Sequence, residues 1–322
     1  MEYRTLGKTG IQVSSLCFGA MPFGSIADEE TSLAMFNQAR EVGINFFDSA
    51  DVYAGGRSEE ILGKCIADCR NDVVITSKFC LPTGKGVNSR GMSRRHMMLS
   101  VEGSLKRLNT DRIDVYFVHH FDSTTAIEET LRGLDDLQKQ GKILYPAVSN
   151  WAAWQIAKAL GISSKESLAR FECIQPMYNL VKRQSEVEIL PLAQSEQIGV
   201  ITYSPLAAGL LSGKYHKSVK PTVGRFIDHQ GTQDRYAEQL YSDAAERFIH
   251  YAAEQGEHPA SLAVAWVMAN PAVTAPIIGA RNMEQLQPLL AALDVDMNPQ
   301  RRQEISAMSI TPPPATDRSE EV

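Results

Sequence analysis

Short apolar runs alternate with longer amphipathic stretches as far as residue 292, the pattern of repeated βα units around a parallel sheet. Eight runs of strand length stand out, at residues 15–19 (SLCFG), 44–48 (INFFD), 72–78 (DVVITSK), 114–119 (DVYFVH), 145–149 (YPAVS), 172–176 (ECIQP), 200–204 (VITYS) and 275–279 (APIIG). They are apolar at successive positions, as strands covered on both faces are. Between them, stretches such as DEETSLAMFNQAREVG, SRRHMMLSVEGSLKRL and AIEETLRGLDDLQKQG space their apolar residues three and four apart, which predicts helices. Eight such units favour a single α/β domain over residues 1–322, a closed (β/α)8 TIM barrel, over an open sheet. A barrel leaves no edge strand and typically needs about 250 residues.

Three regions depart from the repeat. In residues 1–14, YRTL and QVSSL flank a GKTG turn and read as a β-hairpin placed to plug the amino-terminal mouth of the barrel, with a plain loop as the alternative. Residues 205–240 are rich in Gly, Lys and Arg with little periodicity and read as a long functional loop after the seventh strand. The polar, Pro-rich stretch 311–322 reads as a disordered tail.

Composition narrows the function classes. A chain of 322 residues that is 43% hydrophobic and 22% charged can bury a large core. Its net charge of −6, with Lys and Arg scattered, argues against nucleic acid and still allows a local basic pocket for a phosphate. The polar start MEYRTLGKTG and the shortness of the most apolar stretch, ASLAVAWVMA, predict a cytoplasmic protein with no membrane partner. Cys17, Cys65, Cys69, Cys80 and Cys173 are odd in number and are expected to be reduced. Cys65 and Cys69 lie four apart but lack further ligands nearby, so core packing is favoured and no metal is expected.

The familiar nucleotide motifs are missing. No G-x-G-x-x-G follows a strand, and the GKT at 7–9 lacks the earlier glycine of a P-loop. His119 and His120 stand near no H-x-H or H-E-x-x-H pattern that would support a metal-dependent hydrolase.

What remains is a set of four residues, each just where an apolar run meets a loop: Asp48 and Tyr53 in NFFDSADVY, Lys78 in VVITSKF and His119 in DVYFVHH. In a barrel all four share the carboxyl-terminal rim, where such folds keep their chemistry. A tyrosine titrates near 10 and is a poor acid at neutral pH unless a cation stabilises its phenolate. Lys78 can supply that cation, Asp48 its counter-ion, and His119 can orient or polarise a carbonyl. Singly, these residues suit a cap, a loop aromatic or a core histidine; together they need only a hydride carrier, and a nicotinamide is the simplest.

Over residues 3–292 the chain resembles the aldo-keto reductase superfamily, in the bacterial branch that also looks like potassium-channel β-subunits and pyridoxal or glyceraldehyde-phosphate reductases. FFDSADVYAGGRSEEILG, VVITSKF, DRIDVYFVHHFD, AVSNW, IQPMYNLVKR, ITYSPLAAGLLSGKY and IIGARNMEQL carry the resemblance. It implies Asp48, Tyr53, Lys78 and His119 as a catalytic tetrad with Tyr53 the general acid, and NADP(H) bound in an extended pose. It further implies Ser149, Asn150 and Gln175 at the nicotinamide carboxamide and Tyr203 stacked on the ring. Ser204, Pro205, Leu206, Gly209, Leu211 and Lys214, with Arg225 as a further candidate, would wrap the pyrophosphate under the 205–240 loop. Gly279, Arg281 and Gln285 complete the set, Arg281 facing a 2′-phosphate. Pro288 and Leu289 depart from the Glu-Asn that many relatives carry at the adenine.

The expected partner is a small-molecule carbonyl substrate. Met21, Pro22, Phe23, Phe79, His120 and Trp151 are the candidates for its pocket, a lining that suits aromatic or aliphatic carbonyls. His120 has two roles open, pocket lining or a structural hydrogen bond, since strand alternation turns it away from His119. Ser149 and Asn150 also suit a helix start at Trp151. The resemblance leaves a second class in play, a cofactor-binding redox sensor or channel-subunit-like partner with slow turnover. Nothing in the pattern fixes the oligomeric state.

Overall fold

The computed structural model describes residues 1–215 and 230–316. Two short strands, β1 (Tyr3–Thr5) and β2 (Gln12–Ser14), pair antiparallel with Tyr3 opposite Ser14. The next eight strands close a parallel barrel: β3 (Cys17–Gly19), β4 (Phe46–Asp48), β5 (Val74–Phe79), β6 (Ile113–Val118), β7 (Ile143–Ser149), β8 (Cys173–Gln175), β9 (Gly199–Thr202) and β10 (Ala275–Ile278). Closure is direct, with Ile278 of β10 opposite Phe18 of β3. Each predicted strand run overlaps one of these strands, with ends shifted by at most two residues, and the fold is the (β/α)8 barrel with an amino-terminal hairpin.

Helices α1 (Glu29–Glu41), α2 (Arg57–Cys65), α3 (Arg94–Leu108), α4 (Ile127–Lys139), α5 (Ala153–Glu166) and α6 (Ile189–Glu196) cross back between strands. After β9 come α7 (Gln230–Arg235), α8 (Gln239–Glu254) and α9 (Pro259–Met268), and after β10 come α10 (Met283–Leu290) and α11 (Pro299–Ser306). Local chemistry starts several of them. Asp28 accepts the Thr31 amide at 2.8 Å to cap α1, and Asn282 accepts the Gln285 amide at 3.0 Å to cap α10. Pro259 opens α9, where its missing N–H is not needed.

Alternation along the strands divides two cores. Phe46, Val74, Val115, Phe117, Ala147, Cys173, Ile201 and Ala275 point into the barrel, while Phe47, Ile75, Tyr116, Val148 and Ile174 point out to the helices. The hairpin closes the lower mouth. Fully buried Leu6 joins the interior cluster and fills the space beside Gly199, where a Cβ would collide with its side chain.

The 205–240 span is less irregular than its composition predicts, since Ala207–Ser212 winds into a 3-10 stretch and α7 begins at Gln230. Helix α7 buries none of its side chains, so it leaves no apolar periodicity to read. Residues 311–316 carry no helix or strand, and the rest of the predicted tail lies outside the described residues. Among the described residues no helix is long and apolar enough to cross a membrane.

Candidate active site

The inward positions that are apolar low in the barrel become polar at its upper rim. On β4 Phe46 is followed two residues later by Asp48, and on β5 Val74 is followed by Thr76 and Lys78. His119 comes two residues after Phe117 on the same register, its amide bonded to the Phe79 carbonyl at 2.8 Å. Tyr53 is delivered by the turn after β4, a 3-10 stretch (Tyr53–Gly56) whose Ala54 and Gly55 adopt positive φ. The upper ends of three adjacent strands, β4, β5 and β6, thus bring Asp48, Tyr53, Lys78 and His119 to one place.

Lys78 is fully buried, and its ammonium donates to Asp48 Oδ1 at 2.7 Å, Asp48 Oδ2 at 2.6 Å and the Ser49 carbonyl at 2.8 Å. The Tyr53 hydroxyl lies 3.4 Å from Nζ. Burial alone pulls the Lys78 ammonium down, but the Asp48 charge and Tyr53 outweigh it and hold the group above its ordinary value. Asp48 also accepts from Thr76 Oγ1 at 2.6 Å and Gln175 Nε2 at 2.9 Å, so the buried ion pair is hydrogen-bonded on all sides.

His119 is driven down to about 3, first by burial, then by the Lys78 charge and by His120. Its imidazole is therefore neutral across physiological pH. Its ring stands edge-on to Tyr53 with centroids 5.9 Å apart. A fixed positive charge, a phenol beside it and a neutral imidazole form a site that can pass a proton from the phenol to an oxygen polarised by the imidazole.

A chain of hydrogen bonds ties this group to the residues expected at a nicotinamide. Tyr203 donates to Asn150 Oδ1 at 2.7 Å; Asn150 Nδ2 donates to Ser149 Oγ at 3.0 Å and to the His119 carbonyl at 3.1 Å. Ser149 Oγ donates to the Gln175 carbonyl at 2.9 Å, and Gln175 reaches Asp48. Burial raises the Tyr203 phenol above its usual range, which keeps it a donor in this chain.

Asp48, Tyr53 and His119 line a cavity of about 660 Å³ that runs from the barrel mouth past β9 to the start of α10. Ser149, Asn150, Gln175, Tyr203, Ser204, Pro205, Leu206, Gly209, Lys214, Gly279, Arg281 and Gln285 line it too. Leu211 does not: it is fully buried in the core under the 3-10 stretch. Arg225 lies outside the described residues. Pro288 and Leu289, the departures from the family pattern, form part of the far wall.

The substrate-pocket candidates divide sharply. Met21 and Pro22 line the cavity, whereas Phe23, Phe79 and Trp151 are buried in the core behind it. Lys78 points into the barrel, so Phe79 must point outward, where it stacks on Tyr116 at 5.3 Å. Trp151 packs edge-on to Phe121 and Phe171. His120 is exposed, with Nδ1 3.0 Å from the Phe121 carbonyl, and is absent from the cavity wall. Ile26 and Leu81 take the apolar positions instead.

Sequence reasoning also missed Arg235 and His258, which line the cavity from α7 and the start of α9. His258 caps α9, its Nδ1 accepting the Ala260 amide at 3.1 Å, and the His-Pro pair was the available signal. Arg235 had none. A further unforeseen feature is strain: Ala54, Cys80, Asn150, Ser204, Ala207 and Ala208 all have positive φ, and all lie in loops after the barrel strands. Such residues collect at functional sites, where the surrounding structure holds a geometry the chain would not choose.

The Aldo/keto reductase family model matches residues 15–310. The chain is 39% identical over 305 residues to a probable voltage-gated potassium channel subunit beta of Arabidopsis thaliana, covering 92% of each, and 38% identical to its namesake in Oryza sativa subsp. japonica with the same coverage. It is likewise 38% identical over 309 residues to the uncharacterized oxidoreductase YrpG of Bacillus subtilis, covering 92% of this chain and 93% of that one. With this match over nearly its whole length, the chain belongs to the aldo/keto reductase family and is an oxidoreductase.

Proposed function

We propose that the protein reduces aldehydes or ketones to alcohols with NADPH, Tyr53 giving its proton to the carbonyl oxygen as hydride arrives at the carbonyl carbon. The observation that carries this reading is the Tyr53 hydroxyl 3.4 Å from a buried, ion-paired Lys78 in a cavity wall shared with a neutral His119. A reduced nicotinamide, when bound, supplies the hydride. Lys78 stabilises the phenolate left on Tyr53, and Asp48 keeps Lys78 charged and aimed. His119, being neutral, acts on the carbonyl oxygen through a hydrogen bond rather than as an acid.

The cavity wall suits an extended dinucleotide. The Tyr203 ring offers a flat face, and Ser149, Asn150 and Gln175 offer amide and hydroxyl partners to a carboxamide. Ser204, Gly209 and Ser212 keep the middle of the cavity narrow-walled and polar, with Lys214 as a cation for a diphosphate. Arg281 would meet a 2′-phosphate with a bidentate fork, which favours NADPH over NADH. Apolar Met21, Pro22, Ile26 and Leu81 at the substrate end favour aromatic or aliphatic carbonyls over phosphorylated ones.

The test is oxidation of NADPH and NADH, followed at 340 nm, with a panel of aromatic, aliphatic and sugar aldehydes. Tyr53→Phe should keep NADPH binding and lose roughly a hundredfold or more in kcat. Full turnover in that variant would remove Tyr53 from the mechanism. The names of the plant relatives favour a second reading, a cofactor-binding partner of a membrane channel with slow turnover. Tight NADPH binding with no aldehyde turned over faster than in Tyr53→Phe would select it.

A further inference from the structure

Beneath the Tyr53 turn lies a buried acid pair that the reaction above does not use. Asp51 is 3% exposed and Glu59 fully buried, one from the loop after β4 and the other from α2. Glu59 is well partnered: its Oε2 accepts Arg107 Nε at 2.7 Å, and its Oε1 accepts the Ser77 hydroxyl beside Lys78. Asp51 is not. Among the described residues neither of its carboxyl oxygens has a hydrogen-bond partner, and the Ser100 hydroxyl and Val52 amide that face it do not close good bonds.

The charges around Asp51 do not balance if it is ionised. Among the described residues Arg107 on α3 is the cation acting on Asp51, and Glu59 already takes it. Tyr116 from β6 and Cys80 after β5 face Asp51 as neutral groups, both held protonated by burial. His96, a turn before Ser100 on α3 and 3.5 Å from its hydroxyl, is kept neutral by burial as well. A second carboxylate here would be a buried charge without a partner, which the fold strongly disfavours. A neutral acid instead carries one O–H and needs one acceptor, and the Tyr116 hydroxyl is also unpartnered among the described residues.

The cluster is joined mechanically to the Tyr53 turn. The Asp51 amide bonds the Lys78 carbonyl at 3.2 Å, and the Tyr53 amide bonds the Ala50 carbonyl at 3.1 Å. Arg107 packs against Gly56 at the end of the turn, so closely that a Cβ there would sit 2.8 Å from its Cδ. We propose that Asp51 is a positioning residue for Tyr53: as a neutral acid beside Glu59 it leaves Arg107 to Glu59 and to the turn at Gly56, and once ionised it competes with Glu59 for that guanidinium and loosens the brace. This rests on Tyr53 being the proton donor, and it adds a pH control to the site.

Burial, then the Glu59 charge, raise the Asp51 carboxyl from its ordinary value to about 7 against the pull of Arg107. If only the neutral form holds Tyr53 in place, kcat should fall roughly tenfold between about pH 6 and pH 8. Asp51→Asn keeps the shape and cannot ionise, so its kcat should be flat over that range, with NADPH affinity, read by fluorescence, independent of pH in both proteins. Glu59→Gln removes the like charge and should move the fall in kcat to lower pH.

Thermal unfolding tests the acid pair without reference to turnover. A carboxyl with a raised folded-state pKa binds its proton more tightly in the folded chain, so stability declines as pH rises from about 4 to about 7. Asp51→Asn should therefore gain in Tm on the wild type across that window. A constant Tm difference would mean Asp51 is ionised in the fold and would overturn the proposal. Parallel kcat profiles for wild type and Asp51→Asn would overturn the positioning role. Full turnover in Tyr53→Phe would instead sink the proton-donor reading, leaving the Tm result to stand alone.

Discussion

The two ends of the barrel are built from the same strands and obey opposite rules. At the amino-terminal end Leu6 and Val13 from the hairpin complete an apolar plug with Cys17, Phe46 and Val74. At the other end, two or four residues further along the same strands, the inward side chains are Asp48, Thr76, Lys78 and Gln175. The backbone differs as well. Non-glycine residues with positive φ at the helix ends leading into the strands are helix C-caps, Asn109, Ser167 and Gln197, where a left-handed residue satisfies the last carbonyls. At the rim they are Ala54, Cys80, Asn150, Ser204, Ala207 and Ala208, in loops that carry the site. One end is packed for stability, and the other holds polar groups and strain that the first end must support.

Replacing Lys78 attacks the rim where it is most exacting. Lys78→Met leaves Asp48 buried with Thr76 and Gln175 but no cation, which should cost about 3–5 kcal/mol of stability. It also removes the charge beside the Tyr53 hydroxyl, so kcat should drop by at least roughly a hundredfold. Urea denaturation and steady-state kinetics on the same preparation read both. A variant as stable and active as the wild type would show that the rim does not depend on the ion pair.

Leu6→Ala attacks the other end. The side chain is fully buried against Gly199, so the expected loss is about 2–5 kcal/mol, with the spread set by how far the plug can collapse. Turnover of the folded protein should be unaffected, because the apolar interior layer separates Leu6 from Asp48 and Lys78. A matching fall in kcat would mean the two ends are coupled. A smaller effect is expected from Arg281→Ala, at the far end of the cavity. It should raise the KM for NADPH about tenfold and leave that for NADH in place, since only the 2′-phosphate loses a partner. Equal losses with both cofactors would refute that role.

The same contrast explains what the chain discloses of itself. The eight strands were legible because a doubly covered strand is apolar at every position, and the grouping of Asp48, Tyr53, Lys78 and His119 was legible because Asp48, Lys78 and His119 stand at the ends of such runs and Tyr53 follows Asp48 in the next turn. The apolar lining of the cavity was legible only at Met21 and Pro22. Phe23, Phe79 and Trp151 suggest a pocket by type, but side-chain direction turns them into the core, and Ile26 and Leu81 line the cavity with no sequence mark. Asp51 reads in the sequence as one more polar loop residue; only its burial beside Glu59 makes it unusual. Arg235 reaches the cavity from a helix with no buried face to announce it.

The strain at the rim is invisible in the sequence for a related reason, since Ala207 and Ala208 occupy positions where glycine would have advertised the left-handed backbone. That gives the smallest and most discriminating test of the comparison. Ala208 sits at φ 59° and ψ 22° in the 3-10 stretch beside the cavity. Ala208→Gly removes a conformational cost of about 1–2 kcal/mol in the folded state and adds up to about 1 kcal/mol of unfolded-state entropy. The net should be a gain in urea stability of a few tenths to about 1 kcal/mol. The same substitution should weaken NADPH binding slightly, because a freer loop must be ordered when the cofactor arrives. At a helix C-cap such as Gln197 a change to glycine should also stabilise, but without any effect on the cofactor. Equal cofactor effects from the two substitutions would mean that positive φ at the rim is no more than a set of tight turns.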